Sequence, residues 1–442
     1  MQFITILQSA LPQIKTILAS VCYIFFALAL LAGIIRLLLI GHSTAQLKQH
    51  VRSLRSVDYR RFQDSEHVMP VSLILPATKE TGSLKEQLEN LLSLDFKQYE
   101  LIVVANSEHA EAWASLDRAY MLLPFHQPYK KTLKSAPIEG IYRSAKDVRL
   151  VVIDCKADNT ASALNAGVNV SSYPIIAPVY PDLRLTKDAL LKMVYAFVSD
   201  SACVYIGSFS RAKDSADDPA RKQTMISQQQ YLERLTLFYT NRAGYADLGV
   251  YLPLSRTFAA FLKSAVLESG GFSDAARAPG ADLLLRIHAR MRREKRAYCA
   301  RLLPDAVCYQ MPKQRMRDVC AAIRTEQREM RDTVRRNRVV AQEITGVVDT
   351  RFAEKIWPFV ELLGVITVIL SGVLGVVSPV IVVLYLLLGI LFGSAQSVSA
   401  ALLEEYAFQR QTDTGLLLRR YLLAIFDNIG FRLLTSLVRV FS

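Results

Sequence analysis

Residues 71–106 read VSLILPATKETGSLKEQLENLLSLDFKQYELIVVAN, two short β-rich runs on either side of a segment with helical spacing. The run 71–75 (VSLIL) is bounded by Pro70 and Pro76, and 101–104 (LIVV) ends at Asn106. Between them Leu84, Leu88, Leu91 and Leu92 recur at the three- and four-residue steps that line one face of a helix. A strand, a helix and a second strand predict a parallel pair joined by a crossover. Working outward, 150–153 (LVVI) gives a third strand, 161–170 a further helix and 174–179 (PIIAPV) a fourth strand. Such alternation predicts an α/β fold. In open sheets of this kind the ligand sits at the carboxyl ends of the strands, so chemistry is expected just after Leu75, Val104 and Val179.

The chain of 442 residues exceeds one ordinary domain of roughly 100–200 residues. Hydrophobic residues make up 51% and charged residues 21%, a balance that excludes a disordered chain. Mean hydropathy is +0.21, high for a soluble protein. Lys and Arg number 53 against 40 Asp and Glu, a net charge of +13. An excess of this sign suits nucleic acid, an anionic membrane or a phosphate-bearing substrate.

Residues 16–35 (TILASVCYIFFALALLAGII) carry no Lys, Arg, Asp or Glu and match the ~20 residues of a spanning helix. The apolar character continues to Ile40, which favours an anchor over a cleaved signal peptide. Residues 362–403 are likewise uncharged and long enough for two crossings, with Ser378-Pro379 near the centre as the expected turn. Only Lys15 precedes the first span, whereas Arg36, Lys48, Arg52, Arg55, Arg60 and Arg61 follow it. The bias places the central region on the cytoplasmic side. Residues 416–441 mix a broad apolar face with Arg419, Arg420, Asp427, Arg432 and Arg439, the pattern of a helix lying in the interface. Anionic lipid then accounts for much of the basic excess. Nucleic acid is disfavoured, because the basic residues gather beside the spans without interleaved aromatics. The six cysteines form no CxxC pair and the six histidines no metal-ligand spacing, as expected of reduced structural thiols.

With these elements placed, the chain resembles the membrane-integrated family 2 glycosyltransferases of bacterial polysaccharide synthesis. The resemblance runs through VSLILPATKE (71–80), LKEQLENLLSLDFKQYELIVVANS (84–107), TASALNAGV (160–168), PDLRLTKDALLKMV (181–194), the stretch 231–272 ending in SGGF, and GADLLLRIHARM (280–291). It continues into WPFVELLG (357–364), ALLEEYAF (401–408) and YLLAIFDNIGFRLL (421–434). It implies a GT-A fold, that is, a nucleotide-diphospho-sugar transferase-like cytoplasmic domain, plus a helical transmembrane region. The expected organisation is an anchor at 1–41, a basic linker at 42–68, the GT-A-like domain at 69–312, basic amphipathic membrane-proximal helices at 313–354, a transmembrane hairpin at 355–403 and a cytoplasmic interfacial helix at 404–442. The implied location is the bacterial inner membrane, crossed several times.

The resemblance also implies the chemistry: transfer of a sugar from a nucleotide-diphosphate donor to a glycan or lipid hydroxyl, with inversion. Such a reaction needs a divalent cation, Mg2+ or Mn2+, on the diphosphate and a general base for the acceptor. Carried over residue by residue, the base-binding acid after the second strand is Asn106. The usual lysine before Ala163-Leu164-Asn165 is Thr160, and Asn165 itself is kept. The metal-binding Asp-x-Asp reads Tyr180-Pro181-Asp182, leaving Asp182 as metal ligand or as a strand-end turn residue. The Glu-Asp pair of the base reads Ala281-Asp282, and Asp282 is either the base or a residue favouring its helix N-terminus. The Gln-x-x-Arg-Trp element is broken: Arg324 is followed by Thr325, Gln327-Arg328-Glu329-Met330-Arg331 is one residue too long, and Gln314-Arg315-Met316-Arg317 comes early. Arg256 stands where relatives carry glycine. The arginines from 286 to 338 read as a diphosphate site or as a solvated or lipid-facing surface.

Loss of a carboxylate, a lysine and an aromatic removes contributions each worth roughly 10²–10³ in rate. The first expectation is therefore a catalytically impaired homologue that partners an active polysaccharide synthase or secretion subunit. An active inverting transferase with a non-standard metal site is the alternative, and a nucleotide-sugar or glycan sensor is the third.

Overall fold

The computed structural model describes residues 2–54, 57–77, 84–212, 224–236, 238, 257–310, 313–338, 357–408, 422–423 and 431–440. Arg256 lies outside the described residues. At the centre is one ten-stranded sheet in the order β3-β4-β5-β2-β1-β6-β9-β8-β10-β7. Its strands are β1 (Val71–Pro76), β2 (Tyr99–Ala105), β3 (Leu122–Pro124), β4 (Ile138–Ser144), β5 (Leu150–Cys155), β6 (Ile175–Pro178), β7 (Leu183–Leu185), β8 (Cys203–Ala212), β9 (Ala259–Leu262) and β10 (Cys299–Gln310).

The four strands expected from sequence form the parallel half. β1 pairs in parallel with β2 on one side and β6 on the other, and β5 extends β2. Why these runs are apolar throughout follows from the period of two. Leu73, Leu75, Leu101, Val103 and Val152 pack on one face, whereas Ile74, Ile102, Val104, Val151 and Ile153 pack on the other. With both faces buried, alternation with polar residues disappears. The first face is covered by α3 (Leu84–Leu92), α4 (Ala110–Tyr120) and α6 (Ala189–Ser199). The second is covered by α5 (Thr160–Val170), α8 (Lys263–Glu268) and α9 (Pro279–Arg293). Gly167 lets α5 approach β1, because a Cβ there would lie 2.4 Å from Ile74 Cγ2.

β3 and β4 add antiparallel pairs beyond β5, and β9, β8, β10 and β7 build a mixed half beyond β6. The chain runs outward from β1 through β2 to β5 and then returns to β6 on the opposite side of β1. The switch in strand order thus falls between β1 and β6, and in such sheets the carboxyl ends of the strands at that point are the usual ligand position.

The remaining helices are α1 (Gln2–Leu54), the short α2 (Tyr59–Gln63), α7 (Met225–Thr236), α10 (Met316–Arg336), α11 (Trp357–Val373), α12 (Pro379–Phe408) and α13 (Phe431–Val440). Among the described residues two helices are long and apolar enough to cross a membrane, over Lys15–Gln49 and Pro379–Tyr406. Phe359–Val373 is a shorter apolar helix. α11 and α12 form a hairpin whose turn includes Gly375 at φ +64, and Pro379 opens the second arm. Cys22, Val368, Val377 and Tyr385 make the buried seam between α1 and this hairpin. Small residues allow the close crossing, since Gly33 faces Phe392 and Gly364 faces Tyr385 and Phe25. α13 packs against α10 and α11, and Arg439 pairs with Glu233 of α7.

Candidate functional site

The expected site residues fall just after β2 and β6 and on α5, α9 and α10. After β1, the Ala77 amide donates to Val104 O at 2.8 Å, and after β6 the Val179 amide donates to Ile74 O at 2.8 Å. Tyr180 follows, half-buried against the first core face. Its carbonyl accepts from Gln87 Nε2 at 2.8 Å, and the buried Gln87 Oε1 has no partner among the described residues. Asp182 is exposed in the turn to β7. Among the described residues no group of three His, Cys, Asp or Glu side chains is placed to hold a metal ion. Mg2+ in phosphate sites is usually held by one or two carboxylates together with substrate phosphates and water, so Asp182 is the carboxylate that would supply the protein's share for such an ion.

Asn106 sits where β2 ends. Its Oδ1 accepts from the Glu108 amide at 2.9 Å and its carbonyl from the His109 amide at 3.1 Å, so its amide group shapes the turn into α4. Beside it is a carboxylate that the sequence did not single out. Asp154, the fifth residue of β5, is buried and accepts from the Ser107 amide at 2.9 Å. A cavity of about 170 Å³ opens next to Asn106, lined by Ala77, Lys85, His109, Trp113 and Tyr120 among others.

Thr160 opens α5, one residue after Asn159, whose side chain caps the helix by accepting from the Ser162 amide at 2.8 Å. Lys156 lies four residues earlier, in the loop after β5. It bridges Glu108 and Glu139 at 3.0 Å each, and the bond to Glu108 holds the ammonium above its ordinary pKa. That charge is already matched by two carboxylates and does not replace the missing lysine.

Asn165 is buried and satisfied. Its Nδ2 donates to Lys134 O and Phe272 O, both at 2.9 Å, and its Oδ1 accepts from the Phe272 amide at 2.8 Å. Gly271, at φ +71, brings the turn against that side chain, where a Cβ would lie 2.6 Å from Asn165 Oδ1. Asn165 thus fastens the Gly-Gly-Phe turn to α5.

Asp282 lies in the first turn of α9, 3% exposed. Gly280, two residues earlier, is close to the Tyr180 hydroxyl, so the helix start meets the end of β6. Asp282 does not cap its helix, because the N-cap is Ala278 with no side-chain bond. Instead Arg286 Nε donates to its Oδ2 at 2.9 Å and Asn337 Nδ2 donates to its Oδ1 at 2.9 Å. The Arg286 guanidinium also donates to Ser269 O and Gly271 O. One network therefore runs from Asn165 through the Gly-Gly-Phe turn and Arg286 to Asp282 and Asn337.

α10 presents Val319, Ile323 and Thr333 inward and ends at Asn337. Of the residues weighed for the Gln-x-x-Arg-Trp element, Arg324, Arg328 and Arg331 are exposed and Gln327 is half-buried. The geometry joins Asp282 to the end of α10 and leaves these arginines on its outer side.

No protein-family model matches the chain, and no curated protein matches it. Among solved structures it is similar to a mannosyltransferase of Pyrobaculum calidifontis in complex with GDP-Man and Mn2+. The identity is 13%, over 90% of this chain and 99% of that one, with a TM-score of 0.48. It is also similar to residues 1–349 of S. aureus TarS, at 12% identity over 82% of this chain and 91% of that one, TM-score 0.35. A TarS complex with UDP-GlcNAc gives 12%, 82%, 92% and 0.37.

Proposed function

We propose that this chain is a membrane-bound, glycosyltransferase-like protein of cell-surface glycan synthesis, with family 2 ancestry and a GT-A fold. In this reading transfer chemistry has been lost and the protein serves as partner to an active synthase or secretion subunit. The observation that carries the reading is the state of Asp282. A general base needs an open approach for the acceptor hydroxyl within hydrogen-bond reach. Asp282 is buried, and each oxygen is held by a neighbour, Arg286 or Asn337. The exposed lone Asp182 and the matched charge of Lys156 support the same reading.

The cavity beside Asn106, at the carboxyl ends of β1 and β2, supports reading the protein as still able to accept a nucleotide-diphosphate sugar. Outward-facing apolar side chains on α1, α11 and α12, such as Ile17, Leu38, Ile366, Val373, Val380 and Leu391, support membrane insertion, since soluble proteins rarely expose apolar patches of such extent. Under this reading they face lipid, with the sheet on the cytoplasmic side of the inner membrane. An active inverting transferase is the second reading. It is favoured by one observation, that the helix carrying Asp282 still meets the end of β6 at Gly280 and Tyr180.

Purification at native expression in mild detergent tests the partner role. The expected result is co-purification with an active membrane glycosyltransferase, lost when the chain is deleted. A solitary, monodisperse protein overturns it.

A further inference from the structure

Two of the six cysteines, distant in sequence, are brought together by the mixed half of the sheet. Cys203 opens β8 and Cys299 opens β10, and the two are direct register partners in that parallel pair. Neighbouring strands lie about 4.8 Å apart. A disulfide spans Cα separations of roughly 4.4–6.8 Å, so direct partners whose side chains share a face fall in its range. The Cys203 thiol is buried and donates to Tyr205 O at 3.5 Å, and its sulfur interacts with that of Cys299 across the strand pair. Cys299 is half-buried and therefore reachable by a small oxidant.

The surroundings separate the two thiols. Arg301, two residues along β10, carries its positive charge beside the pair and is tied to Asp200 at 2.8 Å. The neighbouring Cys203 thiol, with help from Arg301, holds the Cys299 thiol below its ordinary range, against the opposing effects of burial and of Asp200. That same contact, with burial, pushes Cys203 well up. A more acidic thiol beside a less acidic one is the arrangement of an attacking and a resolving cysteine. The other four thiols differ: burial raises Cys155 and Cys308, and Cys22 and Cys320 lie on helices α1 and α10, away from a cysteine partner among the described residues.

We propose that Cys203 and Cys299 form a peroxide-responsive dithiol, a modification site that closes as a disulfide between β8 and β10. The Cys299 thiolate attacks one oxygen of a hydroperoxide. The O–O bond breaks, and the leaving oxygen takes a proton to become an alcohol, or water from hydrogen peroxide. Cys299 is left as sulfenic acid. The Cys203 sulfur then attacks it, losing its proton as the S–O bond breaks and water leaves. Two thiols are oxidised by two electrons in all, and one peroxide is reduced. The site lies at the amino ends of its strands and is independent of any transferase reading.

The test treats the full-length protein in detergent with hydrogen peroxide, blocks remaining thiols with N-ethylmaleimide and maps peptides by mass. The expected result is a linked peptide pair carrying Cys203 and Cys299, two hydrogens lighter and released by dithiothreitol. In Cys203→Ser, dimedone should trap sulfenic acid at Cys299. Without peroxide at neutral pH, Cys299 should alkylate faster than the half-exposed Cys320. Recovery of Cys203 and Cys299 as separate maleimide adducts after peroxide overturns the proposal, as does alkylation of Cys299 no faster than Cys320. Mapping of the unsubstituted protein decides the matter if the serine variant does not fold.

Discussion

Asp282 meets its partners on two helices, Arg286 one turn along α9 and Asn337 at the end of α10. Asp282→Ala leaves the partly buried Arg286 guanidinium without its counter-charge, and breaking such a pair is expected to cost about 3 kcal/mol. Asn337→Ala removes one bond to a charged group, about 2 kcal/mol. Thermal unfolding in detergent should rank the two in that order, and equal stability of Asp282→Ala with the parent would contradict the clamp. The Asp282–Arg286 spacing of four was readable in the sequence, whereas Asn337 is remote in the chain and no local pattern announces it. Asn165 was legible as a residue but not in its role, because its partners arrive from two other segments. His288 gives a pH test. Burial, with Arg292 nearby, lowers its pKa to about 4 from the ordinary 6.5. The unfolded chain then binds the proton first, so stability is complete above about 6.5 and falls as pH drops toward 4, by up to about 3 kcal/mol. Unfolding midpoints from pH 7 to 4 should show this slope, and His288→Gln should flatten it.

At the scale of elements, the parallel strands were legible because burial on both faces makes each a compact apolar run between turn residues. β3, β4 and β7 were not, since two of them have three residues each and β4 is largely half-buried, with polar residues interleaved. β8 and β10 are longer but mix Ser, Arg and Asp into the run, including mid-strand Ser208 and Asp305, which are buried, with Ser208 satisfied by Phe258 O. The close seat of α5 on β1 gives a prediction. Gly167→Val places methyl groups where Ile74 Cγ2 already stands and is expected to destabilise by about 2 kcal/mol through overpacking. The paired Ile74→Ala should recover part of that loss in the same unfolding assay, and a silent Gly167→Val would mean that the helix sits farther from the strand.

For the whole molecule, the hydropathy pattern marked the apolar helices and the position of the turn at Pro379, because long uncharged runs carry their signal locally. How α1 packs with the hairpin was not legible, as the seam depends on Gly33, Gly364 and Cys22 meeting distant side chains. If these helices sit in lipid as proposed, the chain should remain in the membrane pellet after alkaline carbonate washing and leave it only with detergent. Release by carbonate alone would contradict that placement. The proposed reading joins two observations: a sheet with a cavity beside Asn106, and the buried Asp282 carboxylate held by Arg286 and by Asn337 at the end of α10. Its most direct test is nucleoside-diphosphate release by the purified full-length protein across a panel of nucleotide sugars with Mn2+, run beside Asp282→Asn. The account predicts no release above the protein-free background from either protein. Turnover by the parent that Asp282→Asn abolishes would contradict it.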